Sequence, residues 1–125
     1  MIVDDYDRAI SFVREAFGFE LREDVPATTT DGRSKRWVVV APPTAETGIV
    51  LAVADKPSQI AAVGTQFAGR VGLFLDVGDV EVAAARAIAA GCEIVQPRRD
   101  ESYGSIIVIR DIWGNLWDLR APAHS

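Results

Sequence analysis

The chain repeats itself, and that repetition limits its fold more than any other feature. Asp5 to Gly18 is matched by Asp79 to Gly91, each an acid-opened apolar stripe closed by glycine. Phe19 to Leu21 matches Cys92 to Ile94, Val38 to Val40 matches Ile107 to Ile109, and Gly48 to Leu51 matches Gly114 to Trp117. Each half therefore reads as strand, helix, strand, strand, strand. Such a module has one sheet face for its helix and one curved face left over. Duplication of the unit predicts an α+β chain of two βαβββ modules that, side by side, make a single large cupped sheet.

Within the first half, Met1 to Val3 reads as the end of a truncated strand. A helix over about 5 to 17 follows, capped by Asp4 or Asp5, with Asp7 favourable at the positive end of its dipole. Tyr6, Ile10, Val13 and Phe17 lie on one helical face, which Ala9, Phe12 and Ala16 widen. Gly18 suits the left-handed residue that ends a helix. Phe19 to Arg22 is a short strand, and Asp24 to Ser34, with Pro26 and Asp31-Gly32, is a loop or hairpin tip. Arg36 to Ala41 and Gly48 to Val53 are the next strands, separated by Pro42-Pro43. Module one spans 1–55 and a linker spans 56–69, a short helix or an irregular crossover.

Module two spans 70–120, within one domain of 1–125. Val71 to Val77 is its first strand, and Asp79 caps a helix over about 79 to 90. Val80, Ala84 and Ile88 form that helix's apolar face, with Ala83 and Ala87 beside them. Cys92 to Val95 is a strand and Pro97 to Tyr103 a polar loop. The β-branched run Ile106 to Ile109, the turn at Asp111 to Asn115 and the return strand Leu116 to Leu119 make a closing hairpin. That return strand carries a carboxylate, Asp118, among apolar residues, so the group lines a cavity or meets a partner.

A chain of 125 residues with 49% apolar content fills a single core. Net charge −5 and a pI near 4.8 argue against nucleic acid as a partner, because phosphate binding needs a basic face. No apolar run is long enough to cross a membrane, and the N-terminus lacks a signal-peptide pattern, so the cytoplasm is expected. The one cysteine, Cys92, is expected to be a buried inert thiol. The single histidine, His124, lies in the tail and is expected in solvent; it leaves no Ser-His-Asp or Cys-His set.

Four stretches point further. They are Val3-Asp4-Asp5-Tyr6-Asp7-Arg8-Ala9-Ile10-Ser11-Phe12 with Phe17-Gly18-Phe19, then Arg36 to Pro43, Gly69 to Leu75, and Asp111-Ile112-Trp113-Gly114-Asn115-Leu116-Trp117-Asp118-Leu119. In this order and spacing the chain resembles the vicinal-oxygen-chelate superfamily of glyoxalases, bleomycin-resistance proteins and ring-cleaving dioxygenases. Ile112 stands where the family often has proline. The resemblance implies a fold and a homodimer; the activity is left open, since the family includes metal-dependent enzymes and metal-free drug-binding proteins. Its metal-using members take ligands from four strand positions. Here the first would precede Met1, the second falls at Leu51 or Ala52, the third at Gly72 and the fourth at Asp118. Asp118 is the only match, and a catalytic divalent site needs about three protein ligands. The resemblance thus implies a metal-free small-molecule-binding protein. The alternative is a divalent-metal lyase, isomerase or ring-cleaving dioxygenase whose first ligand lies outside this chain.

Strand alternation assigns Val71, Leu73, Leu75 and Val77 to the helix side and Arg70, Gly72, Phe74 and Asp76 to the free face. The ligand-binding candidates are Arg36, Trp37, Arg70, Phe74, Tyr103, Arg110 and Asp118. They suit a small, partly aromatic or anionic ligand. Competing structural roles are a salt bridge from Asp118 to Arg70, Arg110 or Arg120, core or interface packing for Trp37, Trp113 and Trp117, and edge packing for Tyr103.

Overall fold

In the computed structural model, which describes residues 1–123, the chain divides into two compact units, residues 1–63 and the segment from Gly64 onward. His124 lies outside the described residues. The first unit runs β1 (Ile2–Val3), α1 (Tyr6–Phe17), β2 (Glu20–Thr28), β3 (Ser34–Ala41), β4 (Ile49–Val53) and α2 (Pro57–Ala62). The second runs β5 (Val71–Asp76), α3 (Val80–Ala89), β6 (Glu93–Glu101), β7 (Gly104–Arg110) and β8 (Leu116–Pro122). Each module is βαβββ, as the repeat predicts. The strands form two four-stranded sheets, β1-β4-β3-β2 and β5-β8-β7-β6, where one continuous sheet was expected. In each, the first strand pairs in parallel with the last, and the other pairings are antiparallel.

The helices form where their caps and stripes put them. Asp5 accepts the Arg8 amide at the start of α1, and Gly18 ends it at φ 69°. That left-handed backbone is open to glycine without a Cβ clash. Ala9, Ile10, Phe12, Val13 and Ala16 are buried, and α1 packs on β3 and β4 over Val38, Val40 and Leu51. Asp79 accepts the Glu81 and Val82 amides at the start of α3. The buried stripe of α3 is Val80, Ala84 and Ala87, while Ile88 stands 44% exposed. Helical spacing explains the correction: steps of four and three keep a stripe on one side, and a second step of four drifts toward the rim.

Two segments read as loops are strands. β2 runs to Thr28 and β6 to Glu101, each pairing with its neighbour nearly to the hairpin tip. Their polar composition reflects exposure, since every residue of β6 is exposed. Pro26 and Pro97 are tolerated because β2 and β6 are edge strands of their sheets.

The Asp111–Asn115 turn is held by a buried carboxylate. Asp111 Oδ1 accepts from the amides of Trp113, Gly114 and Asn115, and Oδ2 from Asn115 Nδ2 and Trp117 Nε1. Trp117 is 1% exposed, so this knot joins the turn to the core of its unit. Cys92 is buried as expected, and burial, reinforced by Asp111, pushes its thiol up to about 12. A thiol held in its neutral form is a poor nucleophile.

Candidate functional site

The free face of the second sheet is built from register. Asp118 lies opposite Phe74 on β5 and Val108 on β7, and Arg120 opposite Asp76 and Ile106. Residues directly across a ladder share a face. Trp117 and Leu119, at 1% and 0% exposed, point the other way into the core. The alternation places Leu116, Asp118 and Arg120 in one row over a floor of Val108 and Ile106.

A register shift in β5 between Val71 and Leu73 changes one expected assignment. Val71 pairs with Leu116, whereas Leu73 pairs with Trp117. The irregularity moves Val71 off the helix side and onto the Asp118 face. Gly72 sits at the shift, and a Cβ built there would fall 2.2 Å from the Phe67 ring. The ring fills the space that any side chain at this position would need.

Asp118, Arg70 and Arg99 line a cavity of about 360 Å³ with Val71, Val95, Val108 and Leu116. Arg99 is occupied by Gln96 at 2.9 Å and Glu101 at 3.4 Å. Among the described residues, the side chains of Asp118 and Arg70 have no hydrogen-bond or ion-pair partner. Arg110 pairs with Glu93 at 3.3 Å and Arg120 with Asp76 at 3.0 Å, so neither neutralises Asp118. The cavity thus combines a half-buried carboxylate, apolar valines and a leucine, and the Arg70 guanidinium, with neither Asp118 nor Arg70 committed to a side-chain partner among the described residues.

The other candidates lie elsewhere. Phe74 is 57% exposed on the same face, with the Arg120 guanidinium 5.3 Å from its ring centroid. Tyr103 is exposed and lines a neighbouring cavity of about 430 Å³ with Asp76, Ile106, Arg120 and Pro122. Arg110 stands at the far end of the face, opposite Leu116 and Glu93.

Arg36 and Trp37 belong to the first unit. Arg36 points to the helix side, bonded to Asp24 at 2.6 Å and Asp7 of α1 at 3.0 Å, with Tyr6 under its guanidinium. These partners raise its pKa and commit it to structure. Trp37 shares the free face of the first sheet with Val39, Val25 and Val50, and donates to Glu23 at 3.2 Å. Arg120 and Asp76, which line the cavity beside Tyr103, were not among the candidates read from the sequence. Their two-residue offset from Asp118 and Phe74 was the available signal.

Apart from Asp118, the residues that the family resemblance assigns to metal-ligand positions carry no side-chain donor. Leu51 is fully buried hydrocarbon, Ala52 has no donor, and the Phe67 ring occupies the space at Gly72. Among the described residues no three His, Cys, Asp or Glu side chains converge. No helix of the described residues is long and apolar enough to cross a membrane.

Two helix-backed four-stranded sheets, each a βαβββ module with a free face, define a class of small α+β proteins. The chain belongs to the Glyoxalase/Bleomycin resistance protein/Dioxygenase superfamily, whose family model matches residues 1–119. An uncharacterized protein from Shewanella frigidimarina (strain NCIMB 400) is 41% identical over 120 residues, covering 95% of this chain and 87% of the relative. TnmS3, an antibiotic binding protein from Streptomyces sp. CB03234, is 26% identical with a TM-score of 0.68, covering 98% of this chain and 93% of that one. A glyoxalase family protein from Bacillus cereus superposes with a TM-score of 0.80 at 21% identity, over 99% of this chain and 91% of that one, a likeness of fold alone.

Proposed function

We propose that this protein binds a small organic molecule, of the kind antibiotics represent, on the free face of its second sheet and without a metal. The observation that carries the reading is Asp118, a half-buried carboxylate with no protein partner among the described residues, in one cavity with the equally unpartnered Arg70. Asp118 accepts a hydrogen bond from a ligand hydroxyl, amide or amine, and Arg70 donates to a ligand oxygen. Val71, Val95, Val108 and Leu116 supply apolar contact. The similarity to an antibiotic binding protein supports this class of ligand. The donor-poor positions 51, 52 and 72 support binding without metal.

The protein acts in this reading as a homodimer. The exposed apolar side chains Val25, Trp37 and Val50 on the first unit's free face support a contact between copies.

The test is calorimetric titration of the full chain with a panel of natural-product antibiotics. At least one should bind, and Asp118→Asn should weaken it about tenfold or more, the scale of one charged hydrogen bond. Elemental analysis of protein purified without chelator, followed by titration with Ni, Zn, Mn and Fe, checks the metal. About one ion per chain, released by Asp118→Ala, would overturn the reading in favour of a metal-dependent lyase, isomerase or dioxygenase.

A further inference from the structure

The row of side chains on β8 continues past Asp118 into the second cavity, the one lined by Arg120, Asp76 and Tyr103. Asp76 Oδ1 accepts a hydrogen bond from Arg120 Nε at 3.1 Å and lies 3.0 Å from Nη2 as an ion pair. Both contacts lie on one edge of the guanidinium and leave its faces uncovered by Asp76. The Phe74 ring covers it, 5.3 Å from centroid to Arg120 Cζ. Phe74 does not line the second cavity, whereas Arg120 does. The guanidinium is therefore a flat cationic plate with an aromatic ring on one side and a cavity beside it. Its charge is balanced by Asp76, so an anion gains little there. What remains is a planar, polarisable surface that stacks on aromatic rings. Tyr103, exposed and with no hydrogen-bond partner among the described residues, gives the same cavity a second aromatic face.

We propose that this cavity is a subsite for a planar aromatic group, with Arg120 as its stacking plate and Tyr103 as its flank. The inference rests on the proposed function, since it adds a ring to a ligand already held at Asp118. Residues two apart on a strand are about 7 Å apart. The ligand class is accordingly an aromatic ring whose centre stands about that far from a hydrogen-bond donor such as an amine. The ring lies at Arg120 and the donor at Asp118.

The test uses two amines of matched length, 2-(2-naphthyl)ethylamine and its saturated counterpart 2-(decahydro-2-naphthyl)ethylamine, titrated calorimetrically into the full chain. The naphthyl compound should bind about fivefold tighter or better, the range of one stacking contact. Arg120→Lys keeps the charge and the Asp76 pair but removes the plane. It should bring the two affinities together by weakening only the naphthyl compound, and Tyr103→Ala should narrow the gap in the same way. Thermal melts confirm that each variant is folded. Equal binding of the two amines by the native protein overturns the subsite, and so does a naphthyl preference that survives both substitutions. Failure of both amines to bind also overturns it, while the antibiotic panel still decides the parent reading. If Arg120→Lys abolishes the preference but Asp118→Asn leaves both affinities unchanged, the subsite stands and the role given to Asp118 falls.

Discussion

Asp111 and Asp118 lie seven positions apart in one hairpin, yet they do opposite things. Asp111 is 4% exposed and spends its oxygens on five N–H groups of its own turn and of Trp117. Replacing it with Ala strands buried donors, and the expected loss is at least about 3 kcal/mol, read by urea unfolding. A loss under about 1 kcal/mol would show that water replaces the carboxylate easily. Gly72 has a different constraint, because its missing side chain is the space the Phe67 ring occupies. Gly72→Ala should cost about 1–3 kcal/mol by overpacking, and adding Phe67→Ala should recover part of that despite deleting a ring. Additive losses in the double variant would refute the contact. Cys92 sets an alkaline limit. Its thiol is raised to about 12 in the folded chain, against an ordinary value of 9.0. Above pH 9 the unfolded chain sheds this proton while the folded chain keeps it. Stability should therefore fall from about pH 9 toward 12. Cys92→Ala should flatten that part of the pH profile measured by denaturant midpoints.

At the scale of elements, Arg36 ties three together. It sits on β3, bonds Asp24 on β2, and reaches Asp7 on α1. The Arg36 hydrogen bond holds the Asp24 carboxyl below its ordinary value of 3.8. A depressed carboxylate contributes stability above its unfolded pKa and loses it as pH falls through the folded one. Arg36→Met should therefore lower the Tm at pH 7 and low salt, with the difference shrinking below about pH 4 and in about 1 M NaCl. A Tm difference insensitive to both would mean that Arg36 acts through packing on Tyr6. The elements also show how far pattern reading carries. The helix boundaries were legible because Asp5, Gly18 and Asp79 act locally on the backbone beside them. The outer halves of β2 and β6 were not, because edge strands in water carry the same polar residues as loops. Only their pairing with β3 and β7 distinguishes them.

For the whole molecule, the free face of the first sheet exposes Val25, Trp37 and Val50 at 49%, 43% and 37%. If a second copy covers that face, light scattering at micromolar concentration should give twice the chain mass of 13.5 kDa. Trp37→Glu and Val50→Lys together should return the monomer mass. A monomeric native protein at those concentrations would refute the homodimer.

The amino-acid sequence alone determined the duplicated βαβββ plan, the two longer helices, the Asp79 cap, the closing hairpin, and the burial of Cys92. Those features depend on periodicity and on interactions within a few residues. Asp118 was legible for the same reason: a charge in an apolar strand is visible without coordinates. Tertiary structure decided which groups accompany it. The shift at Gly72 turns Val71 onto the Asp118 face, and no local pattern announces that register change or the Phe67 ring packed beside it. Arg36, Arg110 and Arg120 are equivalent as letters. Their carboxylate partners lie 12, 17 and 44 positions away, so only the fold shows which arginines are already neutralised, and that Arg70 is not. Pairing over such separations is set by strand order and register, which a linear pattern does not contain.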